Sequence, residues 1–128
     1  MGVIFKGCNS RRYPFIFLRL TYFGDIMSSN PLEAYKEFDP KLVEQYENLQ
    51  GLTYAEGALS VKFKLLIALA IDVEHGALQG AIAIGHRALK MGATKEEIIE
   101  TLRISYQIGG NRALFTSAQV LQALFKQK

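Results

Sequence analysis

Helix start and stop signals follow one another so closely after residue 38 that only short loops fit between them. This spacing confines the chain to an all-α architecture. Asp39-Pro40 places a capping carboxylate and a first-turn proline ahead of residues 41–49, where Leu42, Val43, Tyr46 and Leu49 recur at helical spacing. Gly51 and Gly57 bracket a break that has room for a short helical turn at residues 52–55. Ser60 caps a helix predicted over 61–74, with Phe63, Leu66, Ile67 and Ala70 as its inner stripe and Lys62 and Lys64 outside. Gly76 separates this helix from one predicted over 77–91, closed by Gly92 as a left-handed residue. Thr94-Lys-Glu-Glu97 is a capping box that opens a helix over 95–107. Gly109-Gly110-Asn111 reads as a turn, with Asn111 as a cap for a last helix over 112–126. The expected fold is a helical bundle of about five helices.

Composition narrows the function classes. The 128 residues are enough for one modest core, and the 49% hydrophobic and 21% charged content is that of a globular chain. The single cysteine, Cys8, excludes a disulfide framework within the chain and a two-cysteine metal knuckle, and it suits a reducing cytoplasm. The net charge of +3 comes entirely from the start of the chain. Residues 1–26 hold Lys6, Arg11, Arg12 and Arg19 against Asp25, whereas residues 27–128 hold eleven basic and eleven acidic side chains. No basic face of the kind that binds nucleic acid is present in that balanced stretch. No run approaches the roughly 20 apolar residues that span a bilayer, so no membrane association is expected.

The composition changes near Met27. Before it, residues 11–23 are aromatic and basic, and after it Met27-Ser-Ser-Asn-Pro-Leu has the look of a natural start. A secretory signal fits poorly because Arg19 interrupts the apolar run and no small-residue cleavage site follows. Ser10-Arg11-Arg12 as a twin-arginine signal meets the same objections, and residues 15–23 are rich in strand formers. The preferred reading is an upstream extension over 1–26 and a helical domain over 27–128.

The predicted helix over 77–91 opens with small residues. Gly76, Ala77, Gly80, Ala81, Ala83 and Gly85 run along it, and each internal glycine costs about 1 kcal/mol of helix stability relative to alanine. A crowded helix crossing or subunit contact is the expected compensation, ahead of a ligand against the backbone.

Three segments carry a resemblance. They are Leu65-Leu-Ile-Ala-Leu-Ala70, Gly76-Ala-Leu-Gln-Gly80 with Ile84, and Ala88-Leu-Lys-Met-Gly92-Ala-Thr-Lys-Glu-Glu-Ile-Ile-Glu100, followed by Gly109-Gly110. In this order and spacing, over about residues 58–128, the chain resembles the carboxymuconolactone decarboxylase and alkylhydroperoxidase D family. The resemblance implies an alkylhydroperoxidase D-like bundle and a homo-oligomer, as a trimer or hexamer. It also implies what is missing. The family's peroxidase glutamate falls on Leu65, its Cys-x-x-Cys on Ala77 and Gly80, and its histidine on Ile84. Peroxide is reduced by a thiolate, which neither alanine nor glycine supplies.

Asp72, Glu74, His75, Gln79 and His86 are the polar residues nearest those positions. Glu74, His75 and His86 are the candidate catalytic residues, as general base and acid on a small carboxylated or lactone substrate. His75 and His86 need not converge, being separated by some 16 Å of helix rise. His75 at a helix end is also explained by the terminal carbonyls, and His86-Arg87 by a solvated or interface position. Arg112, flanked by Tyr106, Gln107 and Asn111, suits either a ligand carboxylate or a neighbouring subunit. The last helix, with Phe115, Val120, Leu121, Leu124 and Phe125, carries more apolar surface than so small a core needs, which again points to self-association. No cofactor fingerprint is present, and so few ligands argue against a metal. Two functions fit: a catalytically silent homo-oligomer that binds or scaffolds, and a thiol-free acid–base enzyme.

Overall fold

The structure, a computed structural model, describes residues 31–126. The expectations for the extension over 1–26, and Cys8 with it, lie outside the described residues. The described residues divide into two units, on either side of the Gln50–Gly51 bond.

In the first unit, α1 spans Pro31–Phe38 and α2 spans Pro40–Thr53. The sequence reading placed no helix before Asp39. Asp39 accepts a hydrogen bond from the Leu42 amide at 3.1 Å through Oδ1, capping α2 as its position suggests. Gly51 does not end this helix, which continues to Thr53. Of the apolar face expected on α2, Val43 alone is buried, while Leu42, Tyr46 and Leu49 are exposed.

The second unit holds α3 (Val61–His75), α4 (Leu78–Lys90) and α5 (Lys95–Phe125). Ser60 Oγ accepts from the Phe63 amide at 3.3 Å and starts α3. Gly76 ends it at φ 75°, its N–H donating to the carbonyls of Asp72 and Val73. Gly92 sits at φ 87° beyond α4. The capping box at α5 is complete, Thr94 Oγ1 accepting from the Glu97 amide at 3.1 Å and Glu97 Oε2 from the Thr94 amide at 2.8 Å. The Lys62 ammonium, 2.7 Å from Glu97 Oε1, together with the Thr94 amide, holds the Glu97 carboxyl below the usual carboxylate range.

Helical hydrogen bonding runs along α5, but Gly110 leaves the helix at φ 66°, ψ −152°. A straight helix of this length would span about 45 Å. Instead the ammonium of Lys95, the first residue, lies 5.6 Å from the ring centre of Phe125, the last. Gly110 therefore folds α5 back into two antiparallel arms, where the sequence predicts a turn.

Contacts between α3 and the first arm keep a nearly constant offset. Lys62 pairs with Glu97, Ser105 Oγ donates to the Ala70 carbonyl at 3.2 Å, and Glu74 lies against Gly109. An offset of 35 residues in each case means that the two helices run parallel. The second arm follows α4, with Arg112 beside Gly76 and Leu124 beside Gly85. The result is a four-cornered bundle of α3, α4 and the two arms of α5.

Its core is formed by Leu65, Leu66, Leu69 and Val73 of α3, Ala81 and Ala88 of α4, Ala93, and Ile98, Leu102, Ala113 and Val120 of α5. The inner stripe expected on α3 is corrected here. Leu66 is buried, but Phe63 and Ile67 are about half exposed, and the buried face is Leu65, Leu69 and Val73. Apolar residues surround α3 almost completely, so helical spacing identifies a stripe on either side and the packing partners decide between them. Lys62 and Lys64 are not free of the fold either, since Lys62 pairs with Glu97 and Lys64 Nζ donates to the Ala55 carbonyl at 2.7 Å.

The glycines of α4 mark close approaches inside the chain. A Cβ on Gly85 would come within 2.7 Å of Leu124 Cδ1, and one on Gly80 within 2.6 Å of Asp72 Oδ2. Each glycine thus lies against the end of a side chain from a neighbouring element, in line with a crowded crossing. Among the described residues, no helix is long and apolar enough to cross a membrane.

Candidate functional site

The C-terminal end of α3, the first turn of α4 and the break in α5 meet around Gly76. Glu74 reaches from the last turn of α3 to Arg112 on the second arm of α5, with Arg112 Nη2 donating to Glu74 Oε1 at 3.0 Å. The other carboxylate oxygen of Glu74 faces His75 Nε2 at 3.6 Å. Gly109 makes room for this arrangement, because a Cβ there would lie 3.0 Å from Glu74 Cγ. The break at Gly110 then turns the chain so that Arg112 returns over the end of α3. A carboxylate, an imidazole and a guanidinium are brought together, and the side chains of His75 and Arg112 are largely in water.

The third candidate does not join them. His86 lies in the middle of α4, half-buried, about 12 Å of helix rise beyond Leu78. Among the described residues, no hydrogen bond or ion pair links it to Glu74 or His75. Arg112, which the sequence offered to a ligand or a neighbouring subunit, instead pairs with Glu74 of its own chain. A separation of 38 positions left no local signal for that pairing.

Asp72 packs against α4 at Gly80. Its carboxylate lies against Gly80, in the space that any larger residue at position 80 would occupy. Burial pushes the Asp72 carboxyl above the usual carboxylate range, with His75 partly opposing the shift. A carboxyl raised on folding makes the folded state bind protons more readily than the unfolded one, so stability falls as pH rises through the folded value. Asp72→Asn is therefore expected to gain stability over the parent at pH 7 and to lose that advantage near pH 4, as read by urea denaturation. An equal effect at both pH values would exclude a burdened Asp72.

Residues 65, 77, 80 and 84, onto which the resemblance would place peroxidase residues, are built as packing. Leu65 is among the largest fully buried side chains, Ile84 packs on the core, Ala77 precedes α4 without a side-chain cap, and Gly80 accommodates Asp72. None of the four carries a titratable or nucleophilic group. Among the described residues, no group of three or more His, Cys, Asp or Glu side chains is arranged to hold a metal ion.

Comparison with known proteins agrees with this architecture. The family model of the carboxymuconolactone decarboxylase family matches residues 40–123. The crystal structure of apo-lpg0406, a carboxymuconolactone decarboxylase family protein from Legionella pneumophila, superposes with a TM-score of 0.73 at 29% identity. That match covers 80% of this chain and 90% of that one. No curated protein matches the chain. With a bundle of this form and the family pattern running from α2 to the second arm of α5, the chain belongs to the carboxymuconolactone decarboxylase family.

Proposed function

We propose that this chain is a homo-oligomeric, cytoplasmic family member, a trimer or hexamer, that binds or scaffolds and has no thiol peroxidase activity. The observation that carries the reading is the chemistry at residues 65, 77, 80 and 84. Two of these side chains are apolar core and the other two are alanine and glycine, so no thiolate, general base or proton relay is available there. Exposed Phe63, Ile67, Ile71, Ile104 and Ile108 support self-association, because monomers rarely leave that much apolar surface together.

A second reading is favoured by the Glu74–His75–Arg112 group: acid–base chemistry on a small carboxylated substrate. Arg112 would then meet the substrate carboxylate in place of Glu74, freeing Glu74 to exchange a proton. Its weakness is His86, the intended acid, which stands apart from the other two.

Native mass spectrometry of the full chain as purified, with a hydroperoxide turnover assay beside it, tests the proposal. A clean oligomer at the mass of its chains, with peroxide consumed at the uncatalysed rate, is the expected result. Turnover above that rate, or a monomer, refutes it. A retained small carboxylic acid would move the assignment to the second reading.

A further inference from the structure

Position 80 is filled, although residue 80 is a glycine. A Cβ there would stand 2.6 Å from Asp72 Oδ2 and 3.3 Å from Asp72 Cγ, and the third nearest atom is Asp72 Oδ1. The carboxyl group of an α3 residue thus occupies the space where a side chain of α4 would begin. Among the described residues, no hydrogen bond or ion pair reaches that carboxyl. Burial acts against its charge, and His75, three residues further along α3, partly offsets the effect.

Both members of this contact cost stability. Glycine inside a helix is less favourable than alanine, and a partly buried carboxylate without a donor is less favourable than a neutral side chain. The other close-packed glycines have a structural return. Gly85 makes room for Leu124, which packs against the core, and Gly109 makes room for Glu74, which is paired with Arg112. Gly80 makes room for an unpaired carboxyl. Packing does not require that space, because a Cβ at position 80 would meet only the end of a flexible side chain. Paired costs without a structural return gather where a side chain has chemistry to perform.

A carboxylate with little water and no donor is a stronger base than one in solution. We propose that Asp72 is a catalytic base, set against the first turn of α4 by Gly80, that removes a proton from the carbon beside the carbonyl of a small carboxylated ketone or lactone. In that step the C–H bond breaks, its electron pair enters the enolate, and the proton passes to the Asp72 carboxylate. A proton returned from Asp72 to the carbon reverses the step with no oxidation or reduction. His75, whose side chain is 67% exposed, exchanges protons between Asp72 and water. The inference rests on the acid–base reading above and gives it a working group in place of His86.

The experiment follows the methyl signal of sodium pyruvate in D2O by proton NMR. It uses the full chain, Asp72→Asn and Gly80→Ala, with circular dichroism and urea denaturation on each. The parent should exchange the methyl protons roughly tenfold or more above the buffer rate. Its rate should fall on the acid side with a midpoint above the usual carboxylate range. Asp72→Asn should return to the buffer rate while being no less stable than the parent at pH 7. Gly80→Ala turns the carboxyl aside, and should lose most of the exchange while unfolding at a higher urea concentration. A parent at the buffer rate overturns this base and the acid–base reading together. Exchange that survives Asp72→Asn overturns Asp72 alone and leaves Glu74 as the base. If Asp72→Asn fails to fold, Gly80→Ala decides, and undiminished exchange there overturns the placement.

Discussion

Leu69→Ala is expected to destabilise the bundle by about 3 kcal/mol, within the 2–5 kcal/mol typical of emptying a buried leucine site. Leu69 is fully buried in the middle of α3, where it packs within the same cluster as Leu65, Val73, Ile98 and Leu102. The cost combines lost transfer free energy with a cavity that helices anchored on both sides cannot close. In a domain this small, whose total stability is on the order of 5–10 kcal/mol, such a loss lowers the melting temperature by roughly 15 °C. The control is Ile67→Ala, two residues away on the half-exposed side of α3. Its cost should be within about 1 kcal/mol. Urea denaturation of both variants decides the matter. If Ile67→Ala proves the more damaging in the dissociated chain, the buried face of α3 has been assigned to the wrong side.

The second large effect is expected at Gly110. Its conformation, φ 66° with ψ −152°, belongs to a region open to glycine and essentially closed to residues with a Cβ. No atom lies within 4 Å of where a Cβ would stand, so collision with a neighbour plays no part. Gly110→Ala thus isolates a backbone cost, expected at about 1–3 kcal/mol. A straightened α5 would relieve the strain, but it would carry Phe125 away from Lys95 and uncover Ala113 and Val120. Folding is therefore expected to hold the turn and bear the cost. Gly51→Ala is the counterpart, at a helical glycine that also has open space around it. There alanine should be neutral or stabilising by up to about 1 kcal/mol. Equal losses at both positions would show that Gly110 is not held in its special conformation.

These two predictions separate what is local from what is not. Ser60, Gly76, Gly92, Thr94 with Glu97, and Gly110 were all legible, because a cap or a left-handed residue acts on atoms within four positions of itself. That residues 65, 77, 80 and 84 carry no thiol, carboxylate or imidazole was legible for the same kind of reason: leucine, alanine, glycine and isoleucine lack those groups wherever the fold places them. Gly51 misled because one glycine costs a helix only about 1 kcal/mol, which its neighbours can outweigh.

The sequence by itself determined the helix breaks from Ser60 onward, the all-α class and the lack of cysteine at residues 77 and 80, since each depends on residue chemistry or on contacts along the chain. The tertiary structure alone decided which side of α3 faces inward, because that helix is apolar almost all round and only its partners can choose. It alone paired Glu74 with Arg112 and kept His86 from both. Contacts between residues 38 positions apart are set by how helices pack and leave no trace in local spacing.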